Sequence, residues 1–158
     1  HWMVHSFPTR RSSDLERDPA RVALGLAPAD RVIVIVGRLV PDKRPLLAVG
    51  AASLVPGARV IVIGDGPERS RLECAHPGAT LVGALPRSEA LTWIAAADLL
   101  LSASLREGAP TVIREARRLG VPVVTTPVGD VAEWAANDPG IVVVNERSAI
   151  TGSPGGRV

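Results

Sequence analysis

Several things are scarce in these 158 residues, and each scarcity excludes a class of protein. There is one cysteine, Cys74. A single thiol leaves no disulfide framework and no cysteine-based zinc site, and it fits a free thiol in a cytosolic protein. Aromatic residues make up 3% of the chain, with no tyrosine and one phenylalanine, so Ala, Val and Leu must build the core. No apolar run approaches the roughly 18 residues that span a bilayer, since Asp98 interrupts the longest. The N-terminus has no apolar segment of the signal-peptide kind. Charge of one sign is also missing: the net charge is +2, and the arginines are scattered without a basic stripe or interleaved aromatics. Nucleic acid is therefore excluded as a partner. Lysine is the scarcest cation, with Lys43 alone beside seventeen arginines.

What remains is an ordinary globular composition, 46% hydrophobic and 22% charged, about one domain in length. Residues 5–15, reading His-Ser-Phe-Pro-Thr-Arg-Arg-Ser-Ser-Asp-Leu, resemble the translation of a widely used sequencing-adapter oligonucleotide. They have no hydrophobic period and no motif. Residues 1–15 are accordingly expected to be non-native and disordered, with the domain proper over 16–150. The Gly/Pro/Ser-rich stretch 151–158 is expected to be a disordered tail.

From Arg31 onward, short β-branched runs alternate with helical stretches. Strands are expected at 31–36, 59–63, 80–82, 99–102, 121–125 and 141–144. Helices are expected at 45–54, 68–75, 87–97 (capped at or near Ser88), 110–119 and 128–136. The first strand, Arg-Val-Ile-Val-Ile-Val, is apolar on both faces, as a central parallel strand requires. Repeated strand–helix–strand units predict an α/β fold: a Rossmann-like doubly wound parallel sheet of about six strands with helices on both faces. In such sheets ligands bind beyond the carboxyl ends of the strands.

Three of those loops hold residues with chemistry. After the first strand, Gly37-Arg38-Leu39-Val40-Pro41-Asp42-Lys43 places two cations beside a helix N-terminus, which suits a diphosphate. A composition that favours arginine but keeps one lysine here suggests a place for a compact point charge. After the second strand, Gly64-Asp65-Gly66-Pro67-Glu68-Arg69 lacks the third glycine of a dinucleotide fingerprint and reads as a tight turn into a helix. After the fourth strand come Glu107-Gly108-Ala109-Pro110-Thr111-Val112 and then Glu115. Gly108 permits close backbone approach, Pro110 suits a first helical turn, and amides near Thr111 and Val112 are free to hold oxygen atoms. Two carboxylates eight residues apart suit polyol recognition, although each is also an ordinary acidic residue near a helix N-terminus.

Taken together, Gly37-Arg38-Leu39 with Lys43, Val62 through Pro67, Ala96-Ala97-Asp98, Glu107-Gly108 through Glu115-Ala116, and Gly120 through Val124 resemble the C-terminal, nucleotide-sugar-binding domain of glycosyltransferase family 4, retaining enzymes of the GT-B fold. The resemblance spans roughly residues 21–144. It implies that Arg38 and Lys43 bind the donor diphosphate and stabilise its departure, with Glu107 on the transferred sugar. It implies further donor contacts from Gly37, Gly83 (near the base), Gly108, Ala109, Pro110, Thr111 and Val112, with Glu115 on the ribose hydroxyls. The implied donor is a UDP-, GDP- or ADP-sugar, with no metal and no other cofactor. The N-terminal acceptor domain is missing, so the chain alone is expected to fold marginally and to be inactive. Any peripheral membrane association would arise only through the full-length, cytoplasmic enzyme. Asp130 follows Gly129 where the family commonly has a second glycine. Competing readings are a GT-B nucleotide-sugar 2-epimerase, which the Glu-x7-Glu spacing opposes, and a noncatalytic nucleotide-binding module or partner subunit. A response-regulator-like domain would need an acidic cluster that Asp65 alone does not supply.

Overall fold

A computed structural model describes residues 14–107 and 110–145. Residues 1–13 of the segment 1–15 expected to be disordered, the whole expected tail 151–158, and Gly108 and Ala109 lie outside the described residues. All six expected strands are present: β1 (Arg31–Val36), β2 (Ala58–Ile63), β3 (Thr80–Gly83), β4 (Leu99–Ser102), β5 (Val123–Thr125) and β6 (Ile141–Val143). They form one sheet in the order β3-β2-β1-β4-β5-β6, and every pairing is parallel. β1 pairs along its whole length with β2, from Arg31 opposite Ala58 to Val36 opposite Ile63.

Because successive strand residues point to opposite faces, each apolar strand feeds two cores. Val32, Val34, Ile61, Ile63, Leu100 and Val123 face one cluster, while Ile33, Ile35, Val60, Val62, Leu99 and Val124 face the other. The first cluster is roofed by α1 (Asp14–Leu24), α4 (Arg87–Ala96), α5 (Thr111–Arg118) and α6 (Val131–Asn137) through Ala20, Ile94, Ile113 and Val131. The second is roofed by α2 (Pro45–Ala52) and α3 (Arg69–Ala75) through Ala48, Val49 and Leu72. The doubly wound layout is therefore as expected.

Two local expectations require correction. A helix that the sequence reading did not place, Asp14–Leu24, lies before β1 and packs on α4. Its anchor is polar. The Arg21 side chain is 2% exposed and donates to the carbonyls of Ala96 (2.9 Å), Ala27 (2.8 Å), Pro28 (3.3 Å) and Asp30 (2.8 Å), and to Asp98 Oδ2 (2.9 Å). A buried guanidinium is tolerated when each of its nitrogens has an acceptor in this way. Asp98 also accepts from the Val32 N–H at 2.9 Å and from Arg17 at 3.1 Å, which ties helix, sheet and the α4–β4 junction together. The second correction concerns Ser88. It lies inside the first turn of α4, whose N-cap position is Pro86 with no side-chain cap. Proline fixes the entry angle where a hydroxyl cap was expected. Among the described residues, no helix is long and apolar enough to cross a membrane.

Candidate functional site

The loop after β1 is shaped by the loop after β2. Gly37 N–H donates to Ile63 O (2.9 Å), Leu39 N–H to Asp65 O (2.9 Å), and Glu68 N–H returns to Leu39 O (2.9 Å). The two loops lie so close that a Cβ on Gly64 would overlap the Gly37 carbonyl, and one on Gly66 would come within 2.5 Å of the Leu39 carbonyl oxygen. Gly64-Asp65-Gly66 is thus a tight turn, as expected, and also the bed on which Gly37-Arg38-Leu39 rests. Arg38 is exposed at the crest, and its guanidinium makes no hydrogen bond or ion pair among the described residues.

A short 3-10 turn (Pro41–Lys43) follows, ended by Arg44 in the left-handed conformation (φ 46°). That residue precedes Pro45, which disfavours a right-handed helical conformation before it. The Arg44 Nε donates to Ala103 O at 2.7 Å, and Leu105 N–H donates to Asp42 O at 2.8 Å. The β1 and β4 loops are therefore bonded to each other, although nearly sixty residues separate them. Behind the β4 loop, buried Ser104 accepts at its carbonyl from the Thr126 hydroxyl (2.7 Å).

Across this junction Lys43 Nζ forms an ion pair with Glu107, which also accepts from the Ser104 hydroxyl at 3.4 Å. Both side chains are 23% exposed. Gly37, Arg38 and Lys43 line one cleft with Ser102 and Ser104. Next, α5 begins at Thr111 after Pro110. The Thr111 and Val112 N–H groups are first-turn donors without intrahelical acceptors. Pro110 has no N–H, so of the five positions from 108 to 112 expected to contact a donor, it can supply only shape.

Glu115 lies in the second turn of α5, 14% exposed; its Oε2 accepts a hydrogen bond from Arg87 Nε (2.8 Å) and is in ion-pair contact with Arg87 Nη2 (2.6 Å). The two carboxylates expected to face one crevice thus engage different cations: Glu107 that of the β1 loop, Glu115 that of α4. Gly83 ends β3 with φ 80°, and its carbonyl accepts from Gly64 N–H at 2.8 Å. A roomier groove, about 420 Å³, opens elsewhere, between α5 and α6, where Arg114 stacks 4.4 Å from the Trp134 ring centroid. From α5 it is lined by Ile113, Arg114, Arg117 and Arg118 and not by Glu115. Among the described residues, no His, Cys, Asp or Glu group is arranged to hold a metal.

Sequence reasoning did not single out Arg44, Ser104, Thr126 and Arg87. Only Arg87 left a trace: a cation at the start of a helix, just after a sheet-edge loop.

The family profile described as "Glycosyl transferases group 1" matches residues 30–151. A protein named as the teichuronic acid biosynthesis glycosyltransferase TuaC of Bacillus subtilis is 38% identical over 117 residues, covering 73% of this chain and 30% of that one. The chain spans about a third of the length of the curated relatives it matches. Among solved structures, WaaG, a glycosyltransferase involved in lipopolysaccharide biosynthesis, superposes with a TM-score of 0.70 at 25% identity, over 90% of this chain and 44% of that one. Anabaena HepE in complex with UDP superposes with a TM-score of 0.67 at 25% identity, over 85% and 40%. The parallel six-stranded sheet is that of the GT-B glycosyltransferases, and with a profile match over most of its length the chain belongs to the group 1 glycosyl transferases.

Proposed function

We propose that the chain is the donor-binding half of a retaining family 4 glycosyltransferase and binds a nucleoside-diphosphate sugar at the carboxyl edge of its sheet. The observation behind this reading is the pairing of Lys43 with Glu107. A cation suited to phosphate and a carboxylate suited to sugar hydroxyls, 64 residues apart in sequence, meet at one point. The printed ligands of the HepE structures, UDP and UDP-glucose, support a donor of this chemical class.

Transfer breaks the bond between the anomeric carbon and the diphosphate, and negative charge grows on the departing oxygen. Arg38 and Lys43 are the groups that stabilise this charge, and a preorganised cation is most effective there. First-turn amides of Thr111 and Val112 add donors to the same anion. Glu107 holds a hydroxyl of the transferred sugar, Glu115 the ribose hydroxyls, and the backbone at Gly83 borders the base. The reaction needs no metal under this reading. The acceptor is held by a second, N-terminal domain of the longer enzyme, so the chain alone binds donor without transferring it.

Calorimetric titration with UDP, GDP, ADP and NAD, alongside Lys43→Ala, tests the reading. Saturable binding of one nucleoside diphosphate, weakened in the variant, is expected. A folded chain that bound none of them, or bound equally well without Lys43, would overturn it.

A further inference from the structure

Glu115 is more constrained than a helix-surface carboxylate needs to be. Its Oε2 accepts a hydrogen bond from Arg87 Nε at 2.8 Å and lies in ion-pair contact with Nη2 at 2.6 Å, while its Oε1 has no hydrogen-bond partner among the described residues. The two residues come from helices that both start at the carboxyl edge of the sheet: Arg87 opens α4, just past β3, and Glu115 lies one turn into α5, just past β4. The exposures are unequal. Arg87 is 72% exposed and Glu115 14%. An exposed cation of this kind adds little to folding stability, so what it does to Glu115 matters more than what it does for the fold. With its stem held by the helix, a carboxylate whose Oε2 is bonded to the Nε N–H and in ion-pair contact with Nη2 has its remaining rotation restricted. The second oxygen is then aimed rather than free to rotate.

We propose that Arg87 is a positioning residue of the nucleotide site: it clamps Glu115 Oε2 so that Oε1 is presented to a ribose hydroxyl. The inference rests on the donor-site reading above, and specifically on Glu115 as the ribose acceptor. The function it adds is selectivity between ribonucleotides and deoxyribonucleotides. A carboxylate held in one orientation and accepting a hydroxyl rejects the analogue that lacks this hydroxyl, because its lone pair is then left desolvated and unmatched. A freely rotating carboxylate keeps its water in either case and discriminates poorly.

The test compares UDP with 2′-deoxy-UDP, and GDP and ADP with their 2′-deoxy counterparts, on the full chain, by calorimetry. Four proteins are needed: the parent, Arg87→Ala, Arg87→Lys and Glu115→Gln. In the parent, the ribonucleotide that binds is expected to be favoured on the order of tenfold over its deoxy form. Arg87→Ala should lose most of that preference by weakening the ribonucleotide while leaving the deoxynucleotide unchanged. Arg87→Lys should recover part of it, and Glu115→Gln should resemble Arg87→Ala. The melting temperature should not move with Arg87. If Arg87→Ala lowers both affinities equally, or leaves the preference intact while Glu115→Gln abolishes it, the positioning role is overturned and the donor site stands. If the parent binds no nucleotide, or binds ribo and deoxy forms alike, the ribose role of Glu115 falls, and this proposal with it.

Discussion

The ammonium of Lys43 and the carboxylate of Glu107 are each other's counterions across the seam between the β1 and β4 loops. Under the proposed function, each must exchange this partner for the donor, Lys43 for phosphate and Glu107 for a sugar hydroxyl. Opposite effects follow for two ligands. Glu107→Gln removes a negative charge from beside the phosphate site and frees Lys43, so UDP should bind a few-fold tighter. UDP-glucose should gain less or bind more weakly, because a hydrogen bond from sugar to a charged acceptor is lost, at a cost of about 1.5–3 kcal/mol. Lys43→Ala should weaken both by about tenfold or more. Calorimetry with the two ligands separates these outcomes. Equal responses to UDP and UDP-glucose in Glu107→Gln would remove the sugar role.

Gly64→Ala should damage the site from a distance. Its φ of 143° lies where side chains are rarely accommodated, and the new methyl would overlap the Gly37 carbonyl. The backbone, not a flexible side chain, must yield. The expected loss is about 2–4 kcal/mol of stability, together with weaker nucleotide binding as Arg38 is displaced. Denaturant titration and calorimetry check both. A neutral Gly64→Ala would mean that the two loops are not held in register.

Asp98→Asn should destabilise by about 2–3 kcal/mol, since it strips the counterion from buried Arg21 while leaving the carbonyl contacts in place. Urea denaturation of the variant measures this. Stability within half a kcal/mol of the parent would show that the four carbonyls suffice.

The Asp138 carboxyl is held below its ordinary range chiefly by the Arg117 side-chain hydrogen bond, with the Gly140 N–H and the Arg117 charge adding to it and partial burial opposing. A depressed folded pKa contributes stability that is present above the unfolded value of about 3.9 and is lost as pH falls through the folded one. Asp138→Asn should therefore cost about 0.5–1 kcal/mol at pH 7. The gap should shrink below pH 4 and vanish in stronger acid. A constant gap across that range would contradict the assignment.

The sheet was legible because Val and Ile runs mark buried parallel strands without reference to anything distant. The loops that hold Arg38, Lys43 and Glu107, and the helix start that carries Glu115, were legible for the same reason, since strand ends locate them. What escaped was whatever depends on a remote partner. Five of the first helix's eleven residues are charged, and Pro19 stands inside it. Its anchor, Arg21, becomes intelligible only beside Asp98, 77 residues later. Arg87 and Glu115 likewise look like unrelated surface charges until the fold brings the starts of two helices together. The start of α4 at Arg87 was legible, but not its cap: Ser88 is a good cap chemically, while Pro86 already sets the turn.

The strand order has a consequence in time as well as in space. β1 is central and the first strand of this sheet in chain order, yet its neighbour β4 enters only after two intervening strands have been laid down on the other side. Until then one flank of β1 is an open hydrogen-bonding edge, Arg21 is a cation without its carboxylate, and Lys43 faces no Glu107. Closing so long a loop is slow compared with local helix formation. During synthesis the first three strands therefore emerge as a half-sheet with a sticky border. The stretch from Asp98 to Glu107 acts as a latch: it caps that border, neutralises the buried arginine and completes the cleft.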